Sequence, residues 1–553
     1  MLKESIRKYA LENAIKHKGR AAIGSIIGKL INDDPSIKSR LGGLNKEIQK
    51  TISEVNEIGL KKQEEELRKI APELLEKRER QEHVLKELPN VSKNVVMRFA
   101  PFPSGPLHIG NARTAILNDE YCKKYKGKLL LVMDDTIGSE EKQIDKDAYS
   151  LILEGLKFLE IKHEKPIYKS DRLDIYYKYA EELIQKNKAY VCSCSSETIR
   201  ENRKQKKECF CRKINLEDNK KRWKSMFDKK TKEGSYVLRI KTSMQDRNPA
   251  FRDRVLFRIS ERKHPRVGNK YRVWPLLEFS WAIDDHLLGM THIIRGKDLM
   301  MESEMERYIW DIFGWKHADI IHNGLLSLEG VKISKSKSAK EVRAGKYLGW
   351  DDPRTWSLQS LKRRGIKQRA IRNFLLQFGL NQNEVTAPID GLYSENRKLI
   401  EKEANRYFFI EKPVKIKISN IPKEIKTAKA PLHPDYPKRG FRELKVTDEF
   451  YVADKIEKNK VYRFMHLFNF KDNKFISGKH DEKLNAKMIH WLPIDNLVNV
   501  EILMPDGYTI KGLAEESVGY LNIGDIIQFT RFCFCRLDNK KDGKNLIFWY
   551  THT

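Results

Sequence analysis

Hydrophobic and polar positions change their spacing several times along this chain, and each spacing predicts one type of element. From residue 1 to about residue 92 apolar residues recur at helical spacing, and Ile6, Ala10 and Ala14 form one stripe. From residue 93 to about residue 190 short apolar runs alternate with helical segments. This alternation predicts parallel βαβ units in an open sheet, preceded by a helical extension.

The alternation is interrupted over 191–283, where cysteine pairs and isolated strands predict an inserted domain. It resumes over 284–345, a helical segment follows over 346–395, and from 396 to 553 short strands are separated by Pro, Gly and Asn. That last composition is typical of antiparallel β-barrels. The predicted fold class is α/β: a Rossmann-like parallel-sheet domain in two halves with an insertion, an N-terminal helical extension and C-terminal barrels.

Several of these elements have definite predicted positions. The strands at Thr291–Arg295 and Ile320–His322 are expected to return to the sheet beside its first strand. The other predicted segments are the strands Asn94–Ala100, Lys128–Asp134, Tyr236–Lys241, Val255–Ile259, Pro413–Ile418, Gln528–Arg536 and Leu546–Tyr550, and the helical stretches Lys146–Leu159, Tyr176–Lys186 and Pro353–Leu380.

The charge balance points to a polyanionic partner. The chain has 107 Lys and Arg residues against 77 Asp and Glu residues, a formal net charge of +30. Lys and Arg that neutralise phosphates gain affinity by releasing counterions, so nucleic acid is the expected partner. The sequence contains no run of 18 apolar residues and starts with a charged segment. We therefore expect no membrane association and a cytoplasmic location.

The segment from Val95 to Arg113 predicts a strand, a tight turn and the first turn of a helix. Such a junction directs backbone N–H groups and the positive end of the helix dipole at a bound anion. Gly105 and Gly110 are expected to let a ligand approach the backbone, and the His108 imidazole can donate to a phosphate oxygen. The segment therefore predicts a phosphate site.

A second basic motif lies more than 200 residues downstream, where Lys332 and Lys335 flank Ser334 after Gly330. Alone it is indistinguishable from a solvated loop. Together with His108 it supplies cationic donors for one triphosphate, and closure of the loop would put positive charge where attack at the α-phosphate builds negative charge. The two motifs predict an ATP-dependent adenylate-forming site.

Four of the seven cysteines form two close pairs, Cys192 with Cys194 and Cys209 with Cys211. A Cys-x-Cys pair is too short for an unstrained disulfide. The four thiols are either a tetrahedral zinc site within the insertion or reduced side chains without metal, and the sequence leaves both readings open.

The motifs resemble those of a known family. Arg98-x-Ala100-Pro101-x-Pro103-Ser104-Gly105-x-Leu107-His108-Ile109-Gly110-Asn111 resembles the HIGH signature of class I aminoacyl-tRNA synthetases in its glutamyl form, and Lys332–Ser336 resembles the KMSKS signature. The likeness is greatest to the archaeal type and extends through Ser170-Asp171-Arg172, Val267–Tyr271, Asp284–Gly289 and Ile294–Asp298.

The resemblance implies ligation of L-glutamate to tRNA(Glu) through glutamyl-adenylate, with ATP as substrate and Mg accompanying it. It implies that the catalytic residues are His108, Asn111, Lys332 and Lys335. It implies that ATP is bound by Pro103, Ser104, Gly105, His108, Gly110, Asn111, Lys332, Ser334 and Lys335. It implies that glutamate is bound by Arg98, Ala100, Asp134 and Arg295, with Asp134 meeting the substrate ammonium.

The resemblance also gives the predicted domains their roles. Residues 191–283 would bind the tRNA acceptor end, residues 346–395 would connect the catalytic domain to the barrels, and residues 396–553 would bind the anticodon. A monomer is expected. Use of tRNA(Gln) as a second acceptor stays open, because the side chains that read the anticodon are not evident from the sequence.

Two segments depart from the family pattern, because Val132 and Ile137 stand where an Arg and an Asp are usual and Leu277 stands where a Tyr is common. Two alternatives remain beside the glutamyl enzyme. A glutaminyl-tRNA synthetase is disfavoured because Phe102-Pro103-Ser104-Gly105 replaces its usual Glu-Pro-Asn-Gly. An inactive tRNA-binding paralogue is disfavoured because both signature motifs are intact.

Overall fold

The structure is a computed structural model that describes residues 2–16, 19–21, 23–33, 37, 41–75, 85–91, 94–138, 143–331 and 335–553. It divides into two compact units, Met1–Val84 and Leu85–Thr553. Within the described ranges, no helix is both long enough and apolar enough to cross a membrane.

The first unit is helical, as the apolar stripe predicts. Its helices are α1 (Leu2–Lys16), α2 (Ile23–Asp33), α3 (Leu41–Glu57) and α4 (Leu60–Ile70). Ile6, Ala10 and Ala14 are fully buried in the core that these helices enclose. The fourth helix ends just before Pro72, whose ring cannot continue a helix from the preceding turn.

The prediction of helix up to residue 92 is wrong for residues 85–91, which have no helical structure and belong to the second unit. Side chains of the second unit satisfy the backbone of this segment. The Leu88 N–H donates to the Tyr125 hydroxyl at 3.0 Å, and the Tyr121 hydroxyl donates to the Lys86 carbonyl at 3.0 Å. Residues 76–84 and 92–93 lie outside the described ranges.

The second unit starts with the alternating strands and helices that the sequence predicts. They are β1 (Val96–Phe99), α5 (Ile109–Lys124), β2 (Lys128–Met133), α6 (Ala148–Phe158), β3 (Ile167–Tyr168) and α7 (Leu173–Gln185). The three strands form a parallel sheet in the order β1-β2-β3. Met97 and Leu129 pack in one core and Val96 and Leu130 against another, so the sheet is covered on both faces.

The interruption of this sheet is a separate antiparallel sheet with strand order β4-β5-β6-β7. The inserted segment consists of β4 (Ala189–Cys192), α8 (Ser196–Gln205), α9 (Leu216–Ser225), β5 (Val237–Ile240), β6 (Val255–Ile259) and β7 (Val273–Pro275).

The return strands also lie as predicted. The chain continues through α10 (Leu277–Leu287), β8 (His292–Gly296), α11 (Met300–Phe313), β9 (Asp319–Asn323), β10 (Leu326–Leu328) and α12 (Lys335–Arg343). β8 pairs with β9 in parallel, and the Thr291 N–H donates to the Val96 carbonyl at 2.9 Å, which puts β8 beside β1. β1 therefore lies between β2 and β8, the point where the chain changes direction across the sheet.

The helical stretch predicted over Pro353–Leu380 is broken in the structure. After a 3₁₀ turn at Pro353–Thr355 it consists of α13 (Leu358–Arg363) and α14 (Gln368–Leu376), followed by β11 (Val385–Ala387) and α15 (Ile389–Ile400). Gly365 has φ +87° between α13 and α14, a conformation that a continuous helix cannot contain.

The C-terminal part is β-rich, as its composition predicts. Its strands are β12 (Arg406–Tyr407), β13 (Phe409–Ile410), β14 (Val414–Lys417), β15 (Thr427–Pro431), β16 (Phe441–Lys445), β17 (Glu449–Val452), β18 (Val461–Phe464), β19 (Asn469–Lys471), β20 (Lys474–Ser477), β21 (Lys487–Ile489), β22 (Leu497–Leu503), β23 (Thr509–Glu515), β24 (Ile526–Phe529), β25 (Cys533–Asp542) and β26 (Asn545–His552).

Seven of these strands form a nearly closed barrel in the order β12-β24-β25-β26-β22-β23-β13. Its edge strands β12 and β13 are consecutive in the chain, with only Phe408 between them. Most pairs are antiparallel, but β12 with β24 and β22 with β26 are parallel. The single strand predicted at Gln528–Arg536 is wrong, because Arg531 at φ +62° turns the chain between β24 and β25.

Candidate active site

A cavity of about 770 Å³ opens at the carboxyl ends of β1, β8 and β9. The first turn of α5 forms one side of it, and Ala339, Lys340 and Arg343 of α12 form another. The positive end of the α5 dipole therefore faces the cavity, together with two basic side chains. This is the arrangement that the strand–turn–helix pattern predicts for an anion.

His108 caps the N-terminus of α5. Its Nδ1 accepts a hydrogen bond from the Gly110 N–H at 3.1 Å, so the neutral ring has its proton on Nε2. The Asn111 side-chain oxygen accepts from the His108 N–H at 3.5 Å, which leaves the Asn111 amide nitrogen as the donor end. Both side chains line the cavity, so the turn presents two donors besides its backbone.

Gly105 does not serve as the open approach that the sequence predicts. It has φ +149°, and a Cβ built on it would lie 2.9 Å from the Trp350 ring. The ring fills the space expected for a ligand, and at Gly110 the His108 imidazole does the same at 3.1 Å. Gly110 and Ser104 line the cavity, whereas Pro103 and Gly105 do not. The Pro103 carbonyl accepts a hydrogen bond from the Asp145 N–H at 2.9 Å.

The second predicted motif is only partly visible. Lys332 and Ser334 lie outside the described residues, as does the side chain of Lys335, which begins α12. The described part of α12 still reaches the cavity through Lys340 and Arg343. These two cations were missed by the sequence analysis, although their position shortly after Lys335 on a helical segment is a signal that could have found them.

The two predicted guanidinium groups converge on the inner end of the cavity. Arg98 binds Asp285 with two hydrogen bonds, Nη2 to Oδ2 at 2.7 Å and Nε to Oδ1. Arg295 donates from Nη1 to Glu306 Oε2 at 2.7 Å, and its Nη2 lies 3.5 Å from Asp285 Oδ2. All four residues are at most 4 % exposed. Ion pairs this deep are strongly coupled.

Burial sets the protonation of the two acids differently. Burial and the neighbouring Asp285 raise the pKa of Glu306 to about 8, although Arg295 opposes the change. Burial also acts to raise the pKa of Asp285, but the ion pair with Arg98 outweighs it and leaves that pKa below its usual range. Asp285 is therefore the ionised partner at neutral pH, and Glu306 is the acid that holds a proton.

Trp281 supplies the aromatic surface of this end of the cavity. Its ring lies 4.5 Å from the Arg295 guanidinium carbon and 5.4 Å from that of Arg98. Leu277, where the family commonly has Tyr, stands one helical turn earlier on α10 and does not line the cavity. Trp281, Asp285 and Glu306 were assigned no function from the sequence, although Asp285 lies in the segment Asp284–Gly289 of the resemblance, because helical spacing and burial by themselves resemble an ordinary core.

Of the two remaining predicted residues, one lines the cavity and one does not. Ala100 lines it. Asp134 is buried away from it and forms an ion pair with the fully buried Lys169, Oδ1 to Nζ at 2.8 Å. Contact between Asp134 and a substrate ammonium would require this pair to open. Val132, in the other segment that departs from the family pattern, is buried on β2.

The four cysteines of the insertion form one cluster. Cys192 ends β4, and Cys209 and Cys211 flank the start of a 3₁₀ turn at Phe210–Lys213. All four sulfur atoms lie within 4.8 Å of one another, and Cys192 and Cys209 are 3.8 Å apart. A tetrahedral zinc site with Zn–S bonds of about 2.3 Å has sulfur atoms roughly 3.8 Å apart. The donor set and its spacing therefore fit zinc.

Sequence comparisons decide the family. The model of "tRNA synthetases class I (E and Q), catalytic domain" matches residues 94–402, and that of the corresponding "anti-codon binding domain" matches residues 404–489. The chain is 41% identical over 562 residues to a glutamate–tRNA ligase of Methanocaldococcus jannaschii, with 100% of both chains covered. This chain belongs to the glutamate–tRNA ligases of class I. The resemblance seen in its two signature motifs is thereby confirmed.

Other relatives agree. A glutamate–tRNA ligase of Pyrococcus abyssi is 42% identical over 569 residues, covering 99% of this chain and 98% of the relative. That of Methanobrevibacter smithii is 41% identical, covering 100% and 99%. A crystal structure of a glutamate–tRNA ligase from Elizabethkingia meningosepticum with its amino acid has TM-score 0.41 and 19% identity over 56% of this chain and 70% of that one. The sequence relatives alone favour the glutamyl reading over the glutaminyl and inactive alternatives.

Proposed function

We propose that this ligase joins L-glutamate to tRNA(Glu) in two steps, activating glutamate as glutamyl-adenylate with ATP and then transferring it to the terminal ribose of the tRNA. The observation that supports this most strongly is that a helix N-terminus and two buried guanidinium groups open onto one cavity. The helix N-terminus suits a triphosphate and the guanidinium groups suit a side-chain carboxylate, so the cavity has a place for ATP beside a place for glutamate.

In this proposal ATP lies over the first turn of α5. The Nε2–H of His108 and the amide of Asn111 hold its phosphates and ribose, Ser104 and Gly110 line the cavity beside them, and magnesium accompanies the phosphates. Lys332, Ser334 and Lys335 bring further donors to the triphosphate from the loop before α12. Pro103 and Gly105 fix the shape of the turn instead of touching the nucleotide.

Glutamate lies at the inner end. The Nε and Nη2 atoms of Arg295 are buried and make no hydrogen bond to the residues that the structure describes. Asp285 Oδ2 lies 3.5 Å from Nη2, and this edge of the guanidinium still has hydrogen-bond donors for the side-chain carboxylate. Ala100 leaves room beside Arg98. A carboxylate accepts from both donors of such an edge, whereas the amide of glutamine offers only one acceptor oxygen. The preference for glutamate follows from this pairing.

The test is aminoacylation of purified tRNA(Glu) and tRNA(Gln) with labelled glutamate and labelled glutamine. Glutamate should be attached to tRNA(Glu) at least 100-fold faster than glutamine, which corresponds to a difference of about 3 kcal/mol in activation free energy. The change Arg295→Gln should raise the KM for glutamate by a similar factor. Equal rates with the two amino acids would contradict the proposal. Glutamate attached to tRNA(Gln) would show the second acceptor, which stays a prediction, as does the monomeric state.

We also propose structural zinc on Cys192, Cys194, Cys209 and Cys211. Three of the four thiols are buried, and Arg239 Nη1 lies 3.8 Å from Cys192 Sγ and 3.7 Å from Cys209 Sγ. A cation at this distance stabilises thiolates, the form in which cysteine binds metal. The metal would tie the end of β4 to the segment after α8, and it would have no part in the ligation itself.

A further inference from the structure

The Glu306 side chain would lack a hydrogen-bond donor for one of its two oxygen atoms if it were ionised. Its Oε2 accepts from Arg295, but Oε1 is buried and has no hydrogen-bond donor among the described residues. The same guanidinium faces both acids, with Arg295 Nη1 2.7 Å from Glu306 Oε2 and Nη2 3.5 Å from Asp285 Oδ2, so the two carboxyl groups lie side by side. Two facing carboxylates cannot bond to each other unless one of them is protonated.

The formal charges of the cluster depend on that proton. Arg98 and Arg295 contribute two positive charges, and Asp285 contributes one negative charge. If Glu306 were ionised as well, the cluster would be neutral and would give a third carboxylate no net attraction. If Glu306 is protonated, the cluster has one positive charge, which matches the single negative charge of the glutamate side chain.

We propose that Glu306 is a positioning residue that keeps a proton shared with Asp285, and that this proton makes the guanidinium cluster selective for a carboxylate side chain. The proposal rests on the assignment of Arg295 to glutamate binding above. With the proton on Oε1, Glu306 donates to Asp285 and accepts from Arg295, so each oxygen of the carboxyl group has a partner.

The groups around Glu306 favour this state. Arg98 on β1 and Asp285 on α10 face it with opposite charges, and Arg295 faces it from β8. On the same helix as Glu306, Ser303 contacts His322 of β9, and the His322 Nε2 lies 2.9 Å from the Ser303 hydroxyl. Burial and the nearby arginines lower the pKa of His322, so that imidazole is neutral near pH 7 and adds no charge.

A pH dependence follows from the shared proton. Burial and Asp285 raise the pKa of Glu306 to about 8. Below that value the cluster is positive, and above it the cluster becomes neutral. Between pH 7 and pH 9 the protonated fraction falls about tenfold, so the KM for glutamate should rise about tenfold.

The experiment measures the KM for glutamate from pH 7 to pH 9 by ATP–pyrophosphate exchange with tRNA present, in the full-length wild type and in Glu306→Gln. The side-chain amide introduced by this change donates to Asp285 and accepts from Arg295 at every pH, so the KM of the variant should change less than threefold. Glu304→Gln, an exposed change on the same helix, should keep the wild-type profile. The substrate ammonium titrates alike in all three, so the difference between profiles isolates Glu306.

A wild-type KM that does not change between pH 7 and pH 9 would overturn the inference, as would identical profiles for wild type and Glu306→Gln. The wild-type arm decides even if the variant does not fold. Arg295→Gln separates the two proposals: if it leaves the KM for glutamate unchanged, the binding assignment itself fails. If it raises the KM while Glu306→Gln follows the wild-type pH profile, only the shared proton is wrong.

Discussion

Arg98 and Asp285, 187 positions apart in the chain, form a two-point ion pair at the inner end of the cavity. Arg98 comes from the end of β1 and Asp285 from α10, so the pair joins the first half of the parallel sheet to the helix that precedes its return strand. Both side chains are almost completely buried, and each therefore depends on the other for its charge.

Asp285→Asn should destabilise the second unit markedly, because it leaves the Arg98 guanidinium buried without a counter-charge. Removing one member of a buried pair costs about 3–5 kcal/mol, which thermal unfolding would record as a lower midpoint. Asp171→Asn is the matched control, since Asp171 pairs with Arg266 at the surface and such pairs contribute about 0–1 kcal/mol. Equal midpoints for the two variants would contradict the role of the buried pair.

Lys335→Ala should slow formation of glutamyl-adenylate by about 100- to 1,000-fold, the usual effect of removing one preorganised donor from a developing negative charge. Binding of tRNA should persist, because the change removes one charge from a chain of net charge +30. ATP–pyrophosphate exchange and a tRNA filter-binding assay measure the two effects. Lys346→Ala, an exposed change beyond α12 that also removes one charge, should exchange pyrophosphate at the wild-type rate.

Cys211→Ser should reduce the zinc content of the purified ligase from one equivalent per chain to well below half, measured by elemental analysis after dialysis. Loss of one thiolate from a four-thiolate site weakens it and leaves the insertion less stable to heat. Cys122→Ser is the control, because Cys122 lies on α5 outside the cluster. A wild-type protein without zinc would refute the metal assignment.

Gly105→Ala should raise the KM for ATP and lower the thermal midpoint. The added Cβ would lie 2.9 Å from Trp350, and the backbone at φ +149° disfavours any side chain, so a cost of about 1–3 kcal/mol is expected. Gly543→Ala, at a position with nothing within 4 Å of the new atom, is the control. If both variants bind ATP like the wild type, the packing of Trp350 does not shape the turn.

The site was only partly predictable because sequence patterns describe local geometry. His108 was identified from the strand–turn–helix pattern and Asn111 from the family resemblance, and the structure puts both at the cavity because such a turn fixes its own hydrogen bonds. Gly105 was assigned to ligand approach, but Trp350, which lies 245 residues further along the chain, fills the space beside it. Asp134 was assigned to the substrate because nothing local indicates that Lys169 reaches it.

The sequence by itself determined the order of the elements, the class of fold and the family, since helical spacing, strand alternation and the two signature motifs are properties of short segments. Only the tertiary structure decided which charges meet. Asp285 and Glu306 look like ordinary positions on buried helices until β1 and β8 lie side by side and bring Arg98 and Arg295 against them. Long-range electrostatics in a buried site depends on distances that spacing along the chain does not contain, and those distances set both the ion pair and the proton on Glu306.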